Sequence, residues 1–116
     1  FSCGPSVPNM PLNFLAEVIA TFVLVFSIKG IGNVPGIAGG LDKFFVFAII
    51  VSCGMSLGGL TGYAMNPARD IGPRIAHQLL PIKGKGGSNW PYAIVTLCGP
   101  IVGALIAVLL YQAIPW

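Results

Sequence analysis

Three long apolar runs, residues 12–28, 44–60 and 93–114, hold between them a single charged side chain, Glu17, and that sparseness limits what the chain can fold into. A hydrocarbon core about 30 Å thick takes about 20 residues of helix to cross, within a range of about 17–25, and all three runs qualify, the first only just. Over the whole chain 8% of residues are charged and 55% hydrophobic, whereas an average soluble domain carries about 25% charged residues. In lipid every backbone N–H and C=O must be bonded within the segment, so these runs are read as spanning helices. The expectation is an all-α, multi-pass protein of a cell membrane.

Between the second and third runs lies a polar, turn-forming stretch, Thr61-Gly62-Tyr63-Ala64-Met65-Asn66-Pro67-Ala68-Arg69-Asp70. Gly62 loosens the backbone, Asn66 is a strong N-cap, and Pro67 fits the first helical position, where its missing N–H costs nothing. A helix from 67 to about 79 would be roughly 20 Å long at 1.5 Å per residue, too short to span. It reads as a re-entrant half-helix. Irregular backbone at membrane depth is tolerated where protein covers it or water reaches it, so the carbonyls of Gly62, Tyr63, Ala64 and Met65 point to a polar cavity.

Taken in order, residues 1–11 carry Pro5, Pro8 and Pro11 and read as the end of a connecting loop. The start at Phe1 without Met suggests a fragment or a processed chain, and no cleavable signal sequence shows. In the first helix Asn13, Glu17 and Thr21 fall at i, i+4 and i+8 and share a face. A carboxylate there costs at least about 2.5 kcal/mol on insertion scales, so Glu17 must face protein and find donors, either the backbone of the re-entrant loop or an interhelical polar partner. Residues 30–43 are glycine-rich and read as a mobile connection bounded by Lys29 and Lys43. In the second helix, small residues at 52/56 and 54/58 predict close helix approach, or merely loosen the helix before the loop. Residues 81–89, with Lys83 and Lys85, read as an exposed loop; Trp90, Tyr92 and Trp116 mark the two interfaces of the third span. Gly99, Gly103 and Ala107 form a ridge at every fourth position, which predicts a tight helix seam, with Pro100 adjusting it.

The net charge of +3 comes from few groups and forms no basic run, which disfavours nucleic acid. Cys3, Cys53 and Cys98 lack metal or disulfide spacing, and the latter two, inside apolar runs, are expected to pack as small hydrophobes. No nucleophile, base and acid set suggests an enzyme, and no cofactor is implied. His77 is assigned a packing or surface role. Charge alone leaves orientation open, with Lys29 and Lys43 on one side and Lys83 and Lys85 on the other.

A buried half-helix N-terminus presents about half a positive charge, and Asn66 adds side-chain donors. Arg69, one turn further, strengthens a barrier to cations and protons and offers a fork of donors to hydroxyl oxygens. The alternatives for Arg69 are an ion pair with Asp70 or a snorkelling interfacial role. Asp70 points about 100° away from Arg69 on a helix, so pairing with Arg74 at i+4 is the other option.

Asn66-Pro67-Ala68-Arg69-Asp70, followed by Gly72-Pro73-Arg74, resembles the second signature loop of the aquaporin and glycerol-facilitator family. Ala16-Glu17-x-x-x-Thr21-Phe22 and Gly99-Pro100-Ile101-Val102-Gly103 are similar to stretches of the same family, so the likeness runs through nearly the whole chain. It looks like the C-terminal half of a bacterial aquaglyceroporin: three spanning helices plus one half-helix, one inverted repeat of the channel. The resemblance implies a passive pore for glycerol or similar small polyols and water, with Asn66, Arg69, Tyr63, Gly62, Ala64 and Met65 lining it. Glu17, Pro67, Ala68 and Asp70 would support the loop. Asp70 after the arginine is the family's mark of glycerol conduction, although Thr96 stands where such members commonly have proline. Residue 1 and residues 61–89 would face outside, and the 29–43 loop and the C-terminus the cytoplasm. With only one signature loop, the implied partners are the N-terminal half or a second copy inserted in the opposite sense, complete pores forming a homotetramer in the bilayer. Rival readings are a mainly water-conducting pore and a non-conducting association subunit.

Overall fold

The computed structural model describes residues 3–37 and 39–115. Four α-helices follow one another, α1 Met10–Gly32, α2 Leu41–Thr61, α3 Pro67–Leu79 and α4 Trp90–Ala113, and α1, α2 and α4 are long and apolar enough to cross a membrane. Among the described residues there is no strand.

Each spanning helix is longer than its apolar run, because the ends are set by caps rather than by hydropathy. Asn9 Oδ1 accepts the Leu12 N–H at 3.2 Å, and Pro11 falls in the first turn, where it lacks nothing a helix needs. Residues 10 and 11 are therefore helical, not loop. At the other end α1 runs past Lys29 through two glycines to Gly32, so the connection expected at 30–43 shrinks to 33–40. Asp42 sits in the first turn of α2, where a carboxylate complements the helix dipole. Gly62 ends α2 at φ 76, its N–H bonded back to Gly58 O at 2.9 Å, a conformation that glycine adopts without a Cβ penalty. α4 starts at Trp90, with Pro91 in its first turn, three residues ahead of the apolar run. That places Tyr92 inside the helix on a protein-facing side, 1% exposed, rather than at an interface beside the exposed Trp90. Trp116 lies outside the described residues.

α1 packs against α4 and α2, and α3 against α4. The α1–α4 seam is a backbone contact made possible by missing side chains. A Cβ at Gly99 would lie 2.8 Å from Glu17 Cβ, and one at Gly103 would run into Val18 O. Residue 99 meets 14–18 and residue 103 meets 18–22, so the two helices run parallel. Ala107 continues the ridge, fully buried. At the far end Asn33 Nδ2 donates to Tyr111 Oη at 2.5 Å, and Lys29 Nζ lies 5.7 Å from the Tyr111 ring centroid. Small residues at such seams let dispersion between backbones do what the hydrophobic effect cannot do in lipid.

The small residues of α2 serve a different purpose from the one their spacing suggests. Ser52 and Ser56 turn their hydroxyls onto the helix's own carbonyls, at Ala48 O and Ser52 O. Gly54 and Gly58 receive the ring of Tyr63, which folds back from the following loop. Cys53 is buried, whereas Cys98 is exposed on the outer side of α4, so only the first packs as an interior hydrophobe. Polarity is inverted relative to a soluble domain. Asn13, Glu17, Thr21, Asp70 and Arg74 are buried, while Phe44, Phe47, Met55 and Leu109 are exposed.

Candidate functional site

The site begins with a loop that could not hold its shape alone. Tyr63 and Met65 both have positive φ, 44 and 45, in the left-handed region that costs a non-glycine residue about 1–2 kcal/mol. Glu17 stabilises this conformation from α1. Its Oε1 accepts the Ala64 N–H at 3.0 Å and its Oε2 the Met65 N–H at 2.8 Å, all within buried surroundings. Glu17 follows Met10 by seven residues, which puts the loop about 10 Å inside the layer of long helices at 1.5 Å per residue.

Asn66 turns this loop into α3. Its Oδ1 accepts the N–H of Ala68 at 2.9 Å and of Arg69 at 3.3 Å, which leaves the side-chain NH2 on the exposed tip of the helix. Pro67 occupies the first turn. Arg69 folds back over the loop that precedes its own helix. Its Nη1 donates to Tyr63 O at 2.5 Å and Gly62 O at 3.4 Å, and its guanidinium lies 4.5 Å from the Tyr63 ring centroid. The ring thus touches both the α2 glycines and a cation, and the cation–π contact adds to the hydrogen bonds.

Leu24, Ile50, Tyr63, Ala64, Met65, Asn66 and Arg69 together surround a cavity of about 160 Å³. Five of the ten candidate site residues, Asn66, Arg69, Tyr63, Ala64 and Met65, line the cavity, and Gly62 contributes a carbonyl to Arg69. Glu17 and Asp70 lie behind it, fully buried. Leu24 and Ile50 escaped the sequence reading because an apolar wall and a lipid-facing side chain have the same hydropathy. A larger hollow of about 480 Å³ lies among Ile31, Val34, Pro35, Gly36, Ile37, Leu41 and Phe45. Its walls bring no polar side chain, so it suggests no chemistry.

Asp70 does not pair with Arg69. It receives Arg74 in a two-pronged bond, Nε to Oδ2 at 2.9 Å and Nη2 to Oδ1 at 2.8 Å, with the two side chains 0% and 1% exposed. Two further donors complete the carboxylate: the Cys3 N–H at 2.6 Å and the Thr96 hydroxyl at 2.7 Å. Arg74 spends its remaining donors on Ser88 O at 2.5 Å, Asn89 O at 2.9 Å and Cys3 O at 2.8 Å. One ion pair therefore ties the segment before α1, the half-helix, the following loop and α4 into a single clasp. It also sets Cys3 Sγ 3.6 Å from Gly62 O and 3.8 Å from Arg69 Nη1. Burial pushes the Cys3 thiol above its ordinary value of 9.0, with Arg69 opposing. Neither Thr96 nor the backbone of Cys3 was legible as part of this clasp, since both act across long sequence separations.

The 81–89 loop is not uniformly exposed. Lys85 Nζ turns inward to the last carbonyls of α3, at His77 O 2.6 Å, Gln78 O 3.0 Å and Leu80 O 2.6 Å, where a cation complements the helix dipole. His77 Nδ1 and Ser88 Oγ share a hydrogen bond at 2.9 Å. Among the described residues no cluster of His, Cys, Asp or Glu could hold a metal.

Three helices of spanning length, with a half-helix packed on α4 whose capped N-terminus opens into a cavity, define a helical membrane fold with a re-entrant loop. Residues 6–111 match the Major intrinsic protein family, and the chain belongs to it. It is 55% identical over 113 residues to the glycerol uptake facilitator protein of Bacillus subtilis (strain 168), covering 97% of this chain and 41% of the relative. A probable glycerol uptake facilitator protein of Thermotoga maritima is 48% identical, with 97% of this chain and 47% of the relative covered. A D/L-lactic acid transporter of Lactiplantibacillus plantarum is 46% identical, with 92% and 44% covered. The chain thus spans less than half the length of each of these curated relatives.

Proposed function

We propose that this chain is one half of a passive transmembrane channel for glycerol and similar small neutral polyols, with water, that excludes ions and protons. The observation that carries the reading is the exposed tip of α3, where Asn66 and Arg69 share a cavity with apolar side chains of α1 and α2. The helix end presents about half a positive charge there, and Arg69 adds a full one that it does not lose. A hydroxyl oxygen entering the cavity accepts from the Asn66 NH2 or from Arg69, and its proton finds the loop carbonyls. The solute's carbon chain slides along Leu24, Ile50 and the Tyr63 ring. Cations and hydronium meet an uncompensated positive field instead. No bond is made or broken, so no catalytic group is called for.

The open tip also argues for a complement. A polar half-channel facing lipid would leave donors and carbonyls unsatisfied, so a second half-helix meets α3 tip to tip at Asn66. We take that complement to be the other repeat, with a second copy in the opposite sense as the alternative, and complete pores assembling as a homotetramer. We place the Arg74 clasp and the 81–89 loop on the outer side of the membrane, as the family resemblance implies.

The test is stopped-flow swelling of proteoliposomes under glycerol and under an impermeant osmolyte, with this chain alone and with the complementary half. Flux of both water and glycerol only when both halves are present supports the reading. Water flux without glycerol flux establishes a water pore, and no flux in either preparation establishes an association subunit.

A further inference from the structure

Tyr63 is placed by what α2 lacks. A Cβ at Gly58 would lie 2.5 Å from Tyr63 Cδ1 and 3.3 Å from Cε1, and one at Gly54 would lie 3.3 Å from Cε2. Carbon atoms rest about 3.5–4.0 Å apart, so even the smallest side chain at Gly58 displaces the ring by about 1 Å. The ring cannot withdraw along the backbone. Its residue is fixed at φ 44 between Gly62 and the two amides bonded to Glu17. A displaced ring changes its spacing from Arg69, now 4.5 Å from its centroid, and with it the shape of the 160 Å³ cavity that both residues line.

We propose that Gly58 is a specificity-determining residue of the pore: the missing Cβ lets the Tyr63 ring lie against α2, and the clearance this leaves in the cavity beside Arg69 is what admits a polyol as well as water. The proposal rests on the pore reading and deepens it. Gly58 touches no solute; it acts through the ring. Water needs less width than a carbon chain bearing hydroxyls, so a narrowed passage discriminates between them.

The experiment compares water and glycerol permeability in proteoliposomes of the complete channel containing this half, for the unmodified protein, Gly58→Ala, and Gly58→Ala combined with Tyr63→Ala. Gly58→Ala is expected to lower glycerol permeability about tenfold or more, the scale on which one methyl discriminates in a fitted site, while water permeability stays within about twofold. Alanine is the better helix former, so such a loss does not come from weakening α2. Removing the ring in the double variant is expected to raise glycerol permeability well above that of Gly58→Ala, because the added methyl then has no ring to displace. Glycerol flux unchanged in Gly58→Ala overturns the role of Gly58 while leaving the pore reading intact. Loss of water and glycerol together, without recovery in the double variant, shows a purely structural glycine and also overturns it. An unmodified channel that passes water but no polyol removes the pore reading and this proposal with it.

Discussion

Glu17 is the residue on which the loop geometry depends, because its carboxylate accepts both adjacent amides of the strained loop. Glu17→Gln keeps the shape but replaces one acceptor oxygen with a donor, so either Ala64 N–H or Met65 N–H faces an NH2 group. An unsatisfied buried donor costs about 1–3 kcal/mol. The expected outcome is a lowered unfolding temperature in detergent together with reduced glycerol flux, and an unchanged melting curve would show that the loop holds itself. At this scale much was readable in advance. A single acid in an apolar run must face protein, and the spacing with Asn13 and Thr21 gave its side of the helix. What the residue pattern left open was the partner, since a loop amide and an interhelical side chain answer the same need.

At the scale of elements, α3 is held at its two ends and along its length. Asn66 caps its start, Lys85 closes its last carbonyls, and the buried Asp70–Arg74 pair fixes its rotation against α4 and the segment before α1. Removing one partner of a buried ion pair costs about 3–5 kcal/mol, whereas removing both costs less, because no unpaired charge remains. Asp70→Asn is therefore expected to destabilise the protein strongly, and Asp70→Asn with Arg74→Met to recover part of the loss. Thermal unfolding of the four members of this double-mutant cycle measures the coupling, and additive effects would show that the clasp contributes little. The helix ends were less legible than the helices. Hydropathy stops where apolar residues stop, while Asn9, Pro11 and Pro91 extend α1 and α4 through cap geometry that a window of hydrophobicity does not register.

For the molecule as a whole, the α1–α4 seam decides whether the site exists, since α1 supplies Glu17 and Leu24 and α4 supplies Thr96. Gly103→Leu would drive a side chain into the Val18 carbonyl and spread the helices. Forced overpacking costs about 1–3 kcal/mol, so the expected result is a lower unfolding temperature and loss of association with the complementary half in detergent. Retained assembly would mean that the seam yields without opening the site.

The amino-acid sequence alone determined the membrane class, the number of spans, the short helix opening at Asn66 and the small-residue ridge of α4. Each follows from local pattern: length of apolar run, cap chemistry, spacing of missing side chains. Tertiary structure decided which small residues meet a helix and which meet a ring, that Asp70 belongs to Arg74, and that Thr96, Ser88 and the backbone of Cys3 share its clasp. Those contacts join residues far apart in the chain, where many polar groups satisfy the same hydrogen-bonding need and only the packed geometry selects among them.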